Sequence, residues 1–402
     1  MKNLSRHIYR KIRAQILQRI IPQSGMALPE QDSRSTAGLR IEVIGFFHSI
    51  SGIGESARLC AQQLAEDGYS VNCTSVEAFF HKPAELDWQW HNSIAQNEIN
   101  CRIYHLNPPM LPPVILQMGI NQFKRTFNIG YWAWELEAIP DEWIKATHYM
   151  NAIMTPSQFT TNTIQRYTQL PVLTVTHPVA PEQPASDIRK RLHIPDNAFV
   201  VANIFSFGSA MERKNPLGLI AAFTQAFADN PNTYLILKAN AGENSQEKKT
   251  LLAAIAGHNN ILLLDQHWSK SDILGLIATA DLYASLHRSE GFGLTIAEAM
   301  LLNTPTLVTG WSGNMDFCTH ENSFLVGYAP IKVNSSHPEF SEFDNATWAD
   351  ANIQEAANLL RTIYENPSEL AHKKQCCGLH MKHTINNHKY EHALKQLALR
   401  KP

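Results

Sequence analysis

The feature that most constrains this chain is a strand–helix rhythm that runs, breaks once at a proline-rich stretch, and starts again. Before the break, strands read at residues 41–47, from 71, and at 101–106, 127–134, 153–155 and 172–176, with helical stretches between several of them. The break is "HPVAPEQPAS", residues 177–186, which is poor in apolar residues and reads as a linker. After it, strands read at 199–207, 234–239, 261–264, 282–286 and 306–309, with helices near 216–228, 246–256, 270–279 and 294–302. Such alternation demands parallel sheets covered by helices on both faces. A chain of 402 residues also exceeds one ordinary core. The expected fold class is therefore α/β, with two doubly wound, Rossmann-like domains facing a cleft, at 38–180 and 181–370. A basic segment, 1–37, precedes them, and a helical tail, 371–402, follows; the pattern from Thr347 onward reads as helix.

Composition excludes several function classes. A net charge of −2 with 17% charged residues gives no reason to expect nucleic-acid binding. Six cysteines (Cys60, Cys73, Cys101, Cys318, Cys376, Cys377) fall in no zinc-like spacing, and most lie in apolar segments, as in a reducing compartment. No apolar run approaches the ~18–20 residues of a membrane span, and no leader pattern precedes the first strand, so a cytoplasmic protein is expected. One segment qualifies this. Leu4, Ile8, Ile12, Ile16 and Ile20 recur at helical spacing among Lys2, Arg6, Arg10, Lys11, Arg13 and Arg19, without an acid. Such a helix either lies on the anionic inner face of a membrane or packs on its own domain.

In open parallel sheets, ligands bind beyond the carboxyl ends of the strands. Three loops there carry chemistry. In "SISGIGESA", Gly52 and Gly54 let backbone approach an anion at a helix N-terminus; a structural turn explains the pattern equally well. As a dinucleotide fingerprint it lacks a convincing ribose acid, since "NCTSVEAFF" offers only Glu77. In "SFGSAMERKNP", Arg213 and Lys214 precede a helix opened by Asn215-Pro216, which suits a diphosphate, although a charged loop is often only solvated surface. In "SLHRSEGFGLTIAEAM", Glu290 stands ahead of a Gly-rich turn and Glu298 about one turn into the next helix. Both carboxylates can accept hydroxyl hydrogen bonds while the helix dipole holds a phosphate between them. Hydroxyl, phosphate, hydroxyl is the layout of a nucleotide sugar. No D-x-D pair stands among the loops to hold a divalent metal.

"EGFGLTIAEAM" with the following "NTPTLVT" resembles the E-x7-E signature of retaining GT-B glycosyltransferases of family four, the glycosyl transferases group 1. The resemblance covers most of residues 39–360, and "IGYWAWELEAIPDEW" is similar to a subgroup of bacterial surface-polysaccharide enzymes. It implies a GT-B architecture and a metal-independent, retaining hexosyl transfer. The donor would be a GDP- or UDP-linked sugar, the acceptor a glycan or lipid-linked hydroxyl, as in lipopolysaccharide synthesis, with no separate cofactor. By resemblance Glu290 would touch the donor hexose and Glu298 the ribose, while Gly293, Leu294 and Thr295 would hold phosphate or sugar. Lys214 and Arg213 would neutralise the leaving diphosphate, and Gly52 and Gly54, on a loop of the acceptor domain, would join the donor-binding residues.

Two positions depart from the family pattern. Gly208 stands where members carry an arginine, a place Arg213 can fill. Members often have a histidine ending a middle strand of the first domain, where this chain shows "YWAWE"; Trp134 or Glu135 would take that ground, Glu135 either orienting substrate or only capping and packing. His372, Cys376, His380 and His383 align at helical spacing in the tail, but Gly378 is expected to interrupt that helix and no metal site is assigned. The rivals are a non-catalytic nucleotide-sugar binder of the same fold and a nicotinamide-dependent oxidoreductase.

Overall fold

The structure is a computed structural model that describes residues 38–240, 245–335 and 346–399, together with 17, 19–23, 337, 339, 340 and 343. Most of the basic 1–37 segment, and with it the membrane-helix reading, lies outside the described residues. No helix among the described residues is long and apolar enough to cross a membrane.

The chain divides into two compact units, residues 1–178 with 385–402, and residues 179–384. The first holds six parallel strands: β1 (Arg40–Gly45), β2 (Ser70–Ser75), β3 (Cys101–Tyr104), β4 (Phe127–Tyr131), β5 (Ala152–Thr155) and β6 (Val172–Thr174). Their order is β2-β1-β3-β4-β5-β6, so the winding reverses between β1 and β3. Every residue of β3, β4 and β5 is buried, because helices cover both faces and no edge of the pleat meets water. The terminal helix Tyr390–Gln396 belongs to this unit, adding Tyr390, Ala393 and Leu394 to the same core as Val43, Cys60 and Ile103.

The second unit holds β7 (Phe199–Ser206), β8 (Thr233–Asn240), β9 (Ile261–Leu264), β10 (Leu282–Ser285), β11 (Thr306–Thr309) and β12 (Phe324–Val326), ordered β12-β11-β10-β7-β8-β9. This is the strand arrangement of dinucleotide-binding sheets, with the reversal between β7 and β10. Both units are thus doubly wound α/β.

Two local expectations fail. The stretch from Thr347 does not begin as helix: β14 (Thr347–Ala351) pairs antiparallel with β13 (Tyr328–Lys332), and helix starts only at Ile353. Gly378 does not interrupt the tail helix, which runs unbroken over Pro367–Asn387. Its missing side chain lets the helix pack closely on residues 300–303 of the same unit, since a Cβ there would lie 2.5 Å from Asn303 Oδ1 and 3.1 Å from Met300 O.

Candidate functional site

The loops that leave β7 and β10 flank the reversal point of the second sheet, where adjacent connections turn to opposite faces and open a crevice. Residues 207–215 and 286–293 meet there. Asn215 joins them: in a left-handed conformation (φ 51°), it accepts Gly218 N–H at 3.2 Å, capping the helix Pro216–Phe227, and donates Nδ2 to Leu286 O at 2.8 Å. Ala210 (φ 62°) and Ser312 (φ 79°) also hold positive φ without being glycine. Backbone in that region costs ~1–3 kcal/mol per residue and persists where the surroundings enforce it.

Glu290 is the centre of the group. Its Oε1 takes Lys214 Nζ at 2.5 Å and its Oε2 takes Arg213 Nη1 at 3.3 Å, while the same Nη1 donates to Ser289 O at 2.8 Å. Its main chain is fixed as well, N–H to Ser312 Oγ at 2.8 Å and C=O from Gly313 N at 2.9 Å. Burial alone would raise the Glu290 carboxyl, but Lys214 and then Arg213 outweigh it and hold the group down at about 2. Two cations thus converge at one strand end, with Glu290 between them and Glu339 also acting on Arg213, which is where an anion can be received. His287, wholly buried, links Ser285 Oγ at 3.1 Å to Asn314 Oδ1 at 3.0 Å, and burial depresses its pKa, so it serves as a neutral spacer.

Beyond Glu290 the chain turns through Gly293 (φ 98°) into the helix Leu294–Leu301, which has no side-chain cap. Its first amides, at Leu294 and Thr295, are the donors that a helix leaves for an external acceptor. Thr295 Oγ1 receives Tyr283 Oη at 2.7 Å. Burial raises the Tyr283 phenol, and Glu290 and Glu298 both push it further, so the two carboxylates share one neighbourhood. Glu298 is buried and ion-paired with Lys270, the first residue of the helix Lys270–Thr279. Gly208 lies in a short turn where an added side chain would meet only Ser206 Oγ, at 3.6 Å.

The remaining residues singled out in the sequence lie in the first unit. Gly54 follows the N-cap Ser51 in the helix Gly52–Glu66, and a Cβ there would lie 2.5 Å from Phe46 O and 2.7 Å from Ser49 O, so its absence serves packing. The loop amides beside it are already taken: His48 N–H by Glu77 at 2.6 Å and Ile50 N–H by Glu85 at 2.7 Å. Gly52 is exposed at the first turn of that helix. Glu135 is half-buried on the loop beyond β4, whereas Trp134 is buried against Trp143, with Nε1 donating to Ala138 O at 2.8 Å.

The structure also shows a histidine that the sequence reading passed over. His105 follows β3, at the reversal point of the first sheet; Ser56 Oγ lies 2.8 Å from its Nδ1, and its ring stacks on Tyr131 at 4.4 Å. The signal is "RIYHLNPP", an apolar strand closed by histidine and stopped by prolines, beside the more aromatic "YWAWE" of the next strand. In the tail, Cys376 Sγ spends its contacts on backbone oxygens of Glu321, His372 and Lys373, and no three His, Cys, Asp or Glu residues among the described ones are grouped to hold a metal.

Comparison with known proteins gives the same picture from outside. Residues 186–336 match the family glycosyl transferases group 1. HepE from Anabaena, solved with UDP and glucose, superposes with a TM-score of 0.65 at 17% identity, over 90% of this chain and 100% of that one. Sucrose-phosphate synthase from Thermosynechococcus elongatus gives 0.62 at 13% identity, over 90% and 97%. A glycosyltransferase from Rickettsia africae gives 0.62 at 13%, over 89% and 96%. No functionally curated protein matches the sequence. Identities this low speak for fold, and the shared fold is GT-B.

Proposed function

We propose, for a chain whose residues 186–336 match the glycosyl transferases group 1 and whose fold is GT-B, that it moves a hexose from a nucleoside-diphosphate sugar to an acceptor hydroxyl. The observation that carries this reading is the grouping of Lys214 and Arg213 on Glu290, at the strand-order reversal and ahead of an uncapped helix N-terminus. As the glycosidic bond breaks, negative charge grows on the departing diphosphate. Cations and amides already in place stabilise that charge without reorganising, and this is the larger part of what such a site has to do. In the free protein Glu290 occupies both cations; an arriving diphosphate shares them, leaving Glu290 to accept from a sugar hydroxyl. Glu298, one turn on, accepts from the ribose.

The finer assignments rest on the same resemblance. Transfer is with retention, as the resemblance implies. With no pair of carboxylates spaced for glycosidase-like double displacement evident in the sequence, departure and attack take place on one face of the sugar, the departing diphosphate accepting the proton of the acceptor hydroxyl. Two cations and a helix dipole make a divalent metal unnecessary for holding the diphosphate. UDP is favoured over GDP because HepE was solved with UDP and with UDP-glucose. The acceptor is a glycan or lipid-linked sugar of surface-polysaccharide synthesis, met at the inner face of a membrane by the basic 1–37 segment.

Thermal shift against UDP and GDP, with and without EDTA, tests the reading. At least one should raise the melting temperature equally in both conditions, and Lys214→Ala should lose most of the shift. A shift abolished by chelator contradicts the metal-free site. Donor binding without turnover on any glycan or lipid acceptor leaves a binder of the same fold, and NAD binding without nucleotide-sugar binding leaves an oxidoreductase.

A further inference from the structure

Between β12 and the helix Ile353–Glu365 the second unit inserts the antiparallel pair β13–β14, in register from Tyr328↔Ala351 to Lys332↔Thr347. A lone two-stranded ribbon is marginal in water, and β13 is largely exposed. β14 is seated by burial of Trp348, Ala349 and Ala351, and what ties it to the site is one residue of the β10 loop, Arg288, two positions before Glu290. Its Nε and Nη2 both donate to Asp350 Oδ1, at 3.0 and 2.8 Å. Its Nη1 donates to Glu212 O at 2.6 Å, its backbone N–H to Arg213 O at 2.7 Å, and its C=O accepts Ala349 N–H at 2.9 Å. The guanidinium also lies 5.9 Å from the centre of the Trp348 ring, and that ring is buried.

Arg288 therefore touches three segments at once: the β7 loop that carries Arg213 and Lys214, the β10 loop that carries Glu290, and β14. The ion pair itself is half-exposed on the Asp350 side, and pairs of that kind add little stability. Its value is geometric. A planar fork with donors on three edges fixes two loops and a strand in one arrangement, which an ammonium on a flexible stem cannot do. We propose that Arg288 is a positioning residue for the Glu290–Lys214–Arg213 group, and that the β13–β14 ribbon, acting through Asp350, sets the spacing of the two loops that receive the diphosphate. This rests on the donor-site reading above and names the device that holds that site in register.

The test is calorimetric titration of the full chain with UDP and with GDP, alongside melting of the unliganded protein. In Arg288→Lys the nucleoside diphosphate should bind about tenfold more weakly, with the unliganded melting temperature little changed. Asp350→Asn, which keeps the accepting Oδ1, should bind as the parent does, and Asp350→Ala should fall between. Adding Lys214→Ala to Arg288→Lys should cost less than it costs alone, because a displaced lysine has less to lose; a purely structural role predicts additivity. If the parent binds neither nucleotide, the donor-site reading and this inference fall together. If the parent binds and Arg288→Lys binds equally, or the double variant is additive, only this inference is overturned. Should Arg288→Lys fail to fold, Asp350→Ala carries the same comparison.

Discussion

Glu290 and Glu298 are both buried carboxylates answered by lysine, yet their settings differ. Glu290 has two cationic partners and a main chain pinned at both ends; Glu298 has Lys270, whose own side chain is 39% exposed. A partner with that much freedom can yield to a ribose diol without leaving a buried charge stranded. The expected consequence is discrimination at the ribose. UDP should bind more tightly than 2′-deoxy-UDP, and in Glu298→Gln the two should converge to within about threefold, the loss of one charged hydrogen bond being worth ~1.5–3 kcal/mol at most. Titration of both nucleotides against both proteins checks it; an undiminished preference in the variant takes Glu298 away from the ribose.

The loop after β11 shows how tightly one element is fitted to the next. Gly313 begins a short turn whose amide holds Glu290 O, and a Cβ there would lie 2.3 Å from Gly291 O. Neither atom is at the end of a flexible side chain, so backbone must move. Gly313→Ala is expected to lower the melting temperature and also weaken nucleoside-diphosphate binding, because the displaced loop is the one bearing Glu290; thermal shift with and without UDP separates the two effects. Much at this scale could be read from the chain. Acids beside glycines in an otherwise apolar stretch have few structural explanations, so residues 290–298 announced themselves. The ribbon did not: exposed β13 contains Pro330 and lacks the alternation that marks a strand with one buried face. Arg288 was equally silent, since its partner Asp350 lies 62 residues away and no local pattern links them. His105 was hidden by a louder neighbour, and Gly378 was misread because a glycine kept for close approach looks, in sequence, like one kept for a break.

At the level of the whole molecule, the two units carry different acid sensitivities. The first buries His105 and His177 beside Tyr131, and burial lowers both, His177 to about 3. A histidine neutral in the fold and free to take a proton near 6.5 when unfolded contributes full stability above 6.5 and loses it as pH falls toward 3. At pH 5 that is about 2 kcal/mol for one such group. In the second unit Glu290, held at about 2, contributes stability that is intact above 4.5 and lost as pH falls through 2. Between pH 7.5 and 5, calorimetry should therefore show both transitions moving down, the first through His105 and His177 and the second through the buried His287. His177→Phe should reduce the movement of the first transition alone, and an undiminished movement in that variant would contradict the assignment.

The two-part division has a consequence for the order in which the protein is made. Residues 179–384 are an insertion within the first unit, and where the chain leaves and re-enters, Thr176 N–H donates to His388 O at 3.1 Å. Tyr390, Leu394 and Leu397, which close the first core, emerge from the ribosome only after the whole insertion has been synthesised. The later half can thus be finished while the earlier half still waits for its closing helix, which makes the nascent first unit the part in need of a chaperone's shelter.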